Sequence, residues 1–276
     1  MNILIGFFIT LAVSALAITA MLLVRRRAPE GSYFTDGDRA SGVFGVLASG
    51  FAILLGFIIF LAFTTYDASR GGAEVEAVTV AQQLETAQFF EPSVRADLTG
   101  ELICYARYVA GPEWDQLSDG TLGDQINPWG AEMFETVRAV EPKTSREEAA
   151  YGKWLDQSTD RQSARQDRVH GATGVIPTPL WIVLFAISLV IFVYVLFFAD
   201  SGEGKVTQSV LMGSVVFVIV TLLLLLQFLD NPYRPGVGSL KPLAMERTLR
   251  VIDEELEFVK FDRSTLPCDE SGRTKA

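Results

Sequence analysis

The 276-residue chain is 49% hydrophobic and carries 33 acidic against 23 basic residues, with one histidine and two cysteines. That apolar content excludes an ordinary soluble domain, and a net charge of −10 argues against nucleic acid as a partner, because a phosphate-binding face needs a basic excess. A single histidine leaves no His-based triad or multi-His metal site, and no Gly-rich phosphate loop or Cys-x-x-Cys motif occurs; no enzymatic activity, metal or cofactor is expected.

Four stretches are free of charge: Met1 to Val24, Val43 to Phe63, Pro177 to Ala199 and Val206 to Leu229. Each reaches the roughly 20 residues that cross about 30 Å of hydrocarbon. The first reads as a retained anchor rather than a signal peptide, since Arg25, Arg26 and Arg27 follow the apolar run instead of preceding it. The predicted fold is all-α: a polytopic membrane protein with four transmembrane helices and a helical, water-facing insert between the second and third. Its parts are residues 1–66 (two spans and a short basic loop), 67–176 (the insert, continuous with both flanking helices), 177–230 (two spans) and 231–276 (a tail).

A charged, Gly-rich loop leads into the second helix, which has no proline from Tyr66 to Phe90 and is predicted to run on into water as far as Pro92. A helix starting near Pro92 or Ser93 is expected to stop at "GPEW", followed by a polar loop and a short helix that begins "PWGAEMF" and ends at Pro142. Ser145 and Glu148 form a Ser-x-x-Glu capping pattern that opens a long helix leading back to the third span. In the tail, Leu249, Ile252, Leu256 and Val259 make an amphipathic stripe that suits a helix docked on the insert or on the membrane surface, docking on the insert being preferred. His170 reads as a solvated residue at a helix end.

Arg25 to Arg27 and Arg39 in the first loop and Lys205 in the loop between spans three and four put both short loops in the cytoplasm. The insert and tail then lie together outside it, on a multi-pass protein of the plasma (inner) membrane. Arg161, Arg165, Arg168, Arg234 and Lys241 pull the other way. Cys104 and Cys268 share a side whichever orientation holds; an oxidising compartment would allow a disulfide between them, and two unrelated thiols is the other reading.

The spans contain no ionisable residue, which counts against a coupled pump and leaves open a channel with a hydrophobic constriction. On the second span, Gly42, Gly45, Ser49, Ala52 and Gly56 fall within an arc of about 80°, with Phe44, Leu47, Phe51, Leu54 and Ile58 opposite. The small residues form a close-packing seam, either within one subunit or between subunits, or one face of this helix lines a pore. If the helices continue straight out of the membrane, Glu76, Arg165 and Arg168 reach similar heights of roughly 13 to 18 Å, where an interhelical ion pair registers the hairpin or lines a charged vestibule.

The segments "GFAILLGFIIFLAFTTYDASR" with "EVEA", "YARYVAGPEW", "RQSARQDRVHGATGVIPTPLW" and "LDNPYRPGVGSLKP", in this order and spacing, resemble the bacterial bestrophin-like integral membrane family. The resemblance implies an oligomeric channel with four membrane helices per subunit, an anion as permeant ion and the second helix at the pore. It gives Phe51, Leu55 and Ile58 as apolar neck candidates, and it implies a cytoplasmic insert, opposite to the charge reading. The expected function is an oligomeric, bestrophin-like, anion-conducting channel in a lipid bilayer. The alternative is a non-conducting sensor or scaffold whose insert binds a ligand or protein partner.

Overall fold

The structure is a computed structural model that describes residues 3–120, 127–258 and 261–275. Among these the chain is helical, with no strand beyond an isolated bridge between Cys268 and Thr274. It divides into two compact units. One comprises Met1–Thr64, Gly174–Asn231 and Pro235–Gly238, the other Thr65–Thr173, Pro232–Arg234 and Ser239–Ala276.

The first unit holds the four spans: α1 (Ile3–Arg25), the start of α2 (Gly37–Ala87), α7 (Thr178–Phe197) and α8 (Lys205–Leu229). All four are long and apolar enough to cross a bilayer, and only 17% to 28% of each span's most apolar window is buried within the chain. Helix α1 turns Thr10, Ser14, Ala17 and Met21 inward along one stripe, and it packs closely on α8, where a Cβ at Gly213 would meet Ile18 at 3.0 Å. The two short loops are tied to each other: Arg25 donates to the carbonyl of Ser201 at 2.9 Å, and Asp200 accepts from the amide of Gly31 at 3.0 Å. Beside them Phe34 and Phe44 stack on Tyr194, with centroids 5.3 and 5.7 Å apart, and Phe198 packs 4.9 Å from Phe34. Aromatic collars of this kind settle at a membrane–water boundary.

The second unit is built from the rest of α2 with α3 (Pro92–Tyr108), α4 (Trp114–Asp119), α5 (Trp129–Arg138), α6 (Ser145–His170) and α9 (Leu243–Phe258). Its core gathers Val80, Leu84, Leu98, Leu102, Trp129, Met133 and Trp154 with Ile252 and Leu256 of α9, so the tail helix docks on the insert. Leu249 is partly buried against the same core, and Val259 lies outside the described residues. Two local expectations are corrected. The capping box of α6 sits one residue earlier, with Thr144 as N-cap and Glu147 reaching back. The third helix does not stop at "GPEW": it widens into a π-helical turn, Val109–Glu113, and goes on as α4. A π turn spaces its hydrogen bonds one residue further apart than an α-helix, which lets Pro112 sit inside without leaving a broken α ladder.

Candidate functional site

Helix α2 runs without interruption for 51 residues and contributes to both units. Within the span its large-residue side faces the chain's own interior: Phe51, Leu55 and Ile58 are 5%, 1% and 4% exposed. The small-residue side is open. Gly42, Gly45, Ser49, Ala52 and Gly56 are all exposed, and a Cβ added at Gly42, Gly45 or Gly56 would meet nothing within 4 Å. The seam is therefore not used for packing within the chain. Interleaved with it on the open side are Val46, Ile53 and Phe57, at 76%, 75% and 60% exposure, and Phe60.

Residues 42, 46, 49, 53, 56 and 60 recur every three or four positions within an arc of about 80°, and beyond the span Asp67, Gly71, Glu74 and Val78 show the same spacing among themselves. Past the span, Asp67, Glu74, Val75 and Val78 remain exposed. Lipid explains exposed apolar residues in a span; it does not explain Val75 and Val78 on a helix that has entered a water-facing domain. Next to this stripe, a groove between α2 and α6 is lined by Asp67, Glu74, Asp160 and Asp167. Arg70 in this part of α2 is paired with Glu74 at 3.5 Å.

On its other side the same stretch of α2 meets α6 across a buried cluster of charge. A Cβ at Gly72 would lie 2.6 Å from both the carbonyl of Ala164 and the amide of Arg168, so glycine is what lets the backbones approach. One turn on, Glu76 is fully buried and takes a two-pronged ion pair from Arg168, Nε to Oε2 and Nη2 to Oε1. Arg168 also reaches Glu113 of the π turn at 3.1 Å. Arg165 pairs with Glu113 as well, at 2.9 Å, rather than with Glu76. The three residues grouped from the sequence thus meet, but through a fourth, Glu113, and in a closed interior rather than an open vestibule. Glu113 escapes a sequence reading because "GPEW" looks like a helix stop.

Around this core Tyr105 donates to Glu76 Oε1 at 2.6 Å, and Arg161 stacks 4.8 Å above the Tyr105 ring while donating to Gln83 at 2.6 Å. Burial alone would lower the affinity of Arg168 for its proton; Glu76 and Glu113 outweigh it and hold the guanidinium above its ordinary value. Burial, then the negative charge of Glu76, lifts the Tyr105 hydroxyl well above its usual range. Tyr233, whose hydroxyl donates to the carbonyl of Arg168, is pushed up to about 12, chiefly by burial. The cluster ties α2, α3, the π turn and α6 together through buried polar contacts. His170, at the end of α6, is exposed, and no group of residues suited to a metal ion occurs among the described residues. Cys104 and Cys268 are joined in a disulfide.

A family model described as the bestrophin-like domain matches residues 11–243. Among solved structures, a point variant of a bacterial bestrophin homologue from Klebsiella pneumoniae superimposes with a TM-score of 0.65 at 14% identity, covering 92% of this chain and 99% of that one. A second variant of the Klebsiella homologue gives 0.63 at 15% identity, over 91% and 99%. A crystal structure described only as a membrane protein gives 0.65 at 13% identity, over 95% and 100%. At such identities these likenesses concern the fold. No curated protein sequence matches the chain.

Proposed function

The chain belongs to the bestrophin-like family, and from that premise we propose that it is one subunit of an oligomeric ion channel whose conduction path follows the open side of α2. The observation that carries this reading is the exposure of that side within the span. A stripe of exposed residues runs along the span from Gly42 through Ile53 to Phe60. Closed rotational symmetry would bring several copies of it together around an axis. The glycines let neighbouring backbones approach, and Ile53, Phe57 and Phe60 supply an apolar constriction of the kind that gates by dewetting. Phe51, Leu55 and Ile58, buried behind them, hold the helix in place and do not face such an axis.

The permeant species in this reading is an inorganic ion. The bestrophin resemblance carries an anion. The exposed Asp67 and Glu74 and the acidic groove beside them favour cations at that end of the path, because a mouth lined by one sign of charge concentrates the opposite ion. The channel sits in the plasma (inner) membrane, with the insert and tail on the outer side, on the strength of the basic short loops that are tied together in the first unit.

The test is flux from liposomes holding matched amounts of wild type, Ile53→Ala, Phe57→Ala and Ile58→Ala. The proposal expects the first two substitutions to change rate or selectivity and Ile58→Ala to leave both close to wild type. A reversal potential under a salt gradient then gives the sign of the ion. Absence of flux from folded protein that is monomeric or dimeric would favour a sensor or scaffold, in which the buried charge cluster transmits between α2 and α6.

A further inference from the structure

The C-terminal segment closes over α3 in a way that conduction does not require. Residues 261–275 follow α9, and within them Leu266 and Cys268 are 5% and 2% exposed. Cys268 is bonded to the fully buried Cys104 of α3, across 164 residues of sequence and with Cα atoms 5.7 Å apart. Trp129 Nε1 donates to the carbonyl of Gly272 at 2.6 Å, and Arg107 donates to the carbonyl of Asp269 at 3.3 Å. Gly272 has a φ of +80°, and a Cβ there would come within 2.3 Å of the Tyr108 amide and 2.7 Å of the Cys104 carbonyl. The backbone of the segment is thus pressed on α3 just where the π turn begins. Both cysteines of the chain are used in this one bond.

We propose that the Cys104–Cys268 bond is a lock made outside the cytoplasm, by thiol–disulfide exchange with an extracytoplasmic disulfide carrier, and that it seats the C-terminal segment on α3. A protein disulfide facing the cytosol meets a reducing thiol pool, whereas one on the outer side persists. The loop charges reach the same side by an independent route. In the exchange, the thiolate of one cysteine attacks the carrier's disulfide, forming a mixed disulfide and expelling one carrier sulfur as thiolate. The thiolate of the other cysteine then attacks the protein sulfur of that mixed disulfide, which forms Cys104–Cys268 and expels the second carrier sulfur. Two protein thiols lose two electrons and two protons, and the carrier leaves as a dithiol holding both. The inference rests on the outer placement proposed above and is independent of whether the protein conducts.

Full-length protein in cells tests it in three arms. After acid quenching and denaturation, a mass-tagged maleimide should add no tag before reduction and two after; two tags before reduction would overturn the bond while leaving the orientation standing. Lys275→Cys, at an exposed position in the otherwise wild-type chain, should take a membrane-impermeant maleimide in intact cells. Labelling only after permeabilisation would overturn the outer placement. In cells deficient in extracytoplasmic dithiol oxidation, the two tags should appear without reductant, and unchanged protection there would overturn the exchange step.

Discussion

Between Val43 and Phe63, α2 buries Phe51, Leu55, Ile58 and Ala62 and leaves an equally apolar side bare; between Tyr66 and Ala87 the same helix buries Ala77, Val80 and Leu84 together with Glu76 and Gln83. The two halves are sorted by different physics. In hydrocarbon an apolar side chain gains little by hiding from its surroundings, so what decides the inward side is shape, and large residues fill the space between helices while glycines are left for another close partner. In water the apolar residues must be covered, and a charge is tolerated inside only when it is matched. Glu76, Arg168, Glu113 and Arg165 meet that condition by pairing with one another.

The sharpest way to break the water-facing half is to remove the shared partner. Arg168→Met leaves Glu76 buried without its cation and Glu113 with Arg165 alone, and breaking a buried pair from one side costs about 3–5 kcal/mol. Thermal unfolding in detergent should drop steeply, with loss of folded protein as the extreme. The disulfide comes next. Cys104→Ser with Cys268→Ser removes a cross-link spanning 164 residues, for which a loss of about 2–4 kcal/mol is typical. The same loss should appear on adding reductant to the wild type, and the double variant should no longer respond to it.

Much of this architecture was legible beforehand because the periodic signals were long. The spans, the run of α2 beyond the membrane and the return through α6 follow from charge-free stretches and the absence of proline, although α6 ends at His170 and the third span starts afresh at Thr178; Glu76 meets Arg168 where Gly72 lets α6 close on α2. The partner of Arg165 was not legible: Glu113 reaches it only because Pro112 is absorbed in a π turn, which no periodicity announces. Nor was the side of α2 that the subunit itself covers. Helical spacing separates the small side from the large one, but with both apolar, nothing in the spacing says which is inside.

A smaller effect separates the halves by pH. Glu101 on α3 is 8% exposed, and burial lifts its carboxyl to about 7; the hydrogen bond from Thr136 opposes the shift, and Asp97 and Glu132 add to it. Its folded value lies above the ordinary 4.5, so the stabilisation from a protonated Glu101 is complete below about pH 4.5 and is lost as pH rises through about 7. The loss is on the order of 2 kcal/mol, discounted for the partial burial. Glu101→Gln keeps an acceptor for Thr136 and should flatten this slope, raising the melting temperature at pH 8 relative to wild type. The charge-free stretches of the spans hold no Asp, Glu, His, Lys or Arg and should contribute nothing to it.

The finest contrast lies between two glycines of α2. At Gly72 a methyl group would collide with the backbone of α6 at 2.6 Å, and such overpacking costs about 1–3 kcal/mol, so Gly72→Ala should lower the melting temperature of the subunit whatever its oligomeric state. At Gly56 the space is empty, and alanine is the better helix former by up to about 1 kcal/mol. Gly56→Ala should therefore leave the subunit fold intact. Replacing the same residue by leucine should weaken the assembly, read as a shift toward smaller species by mass photometry or light scattering in mild detergent, if a neighbouring copy occupies that space. If Gly56→Leu leaves both fold and assembly unchanged, the open side of α2 faces lipid, and the stripe from Gly42 to Phe60 loses its role as the channel axis.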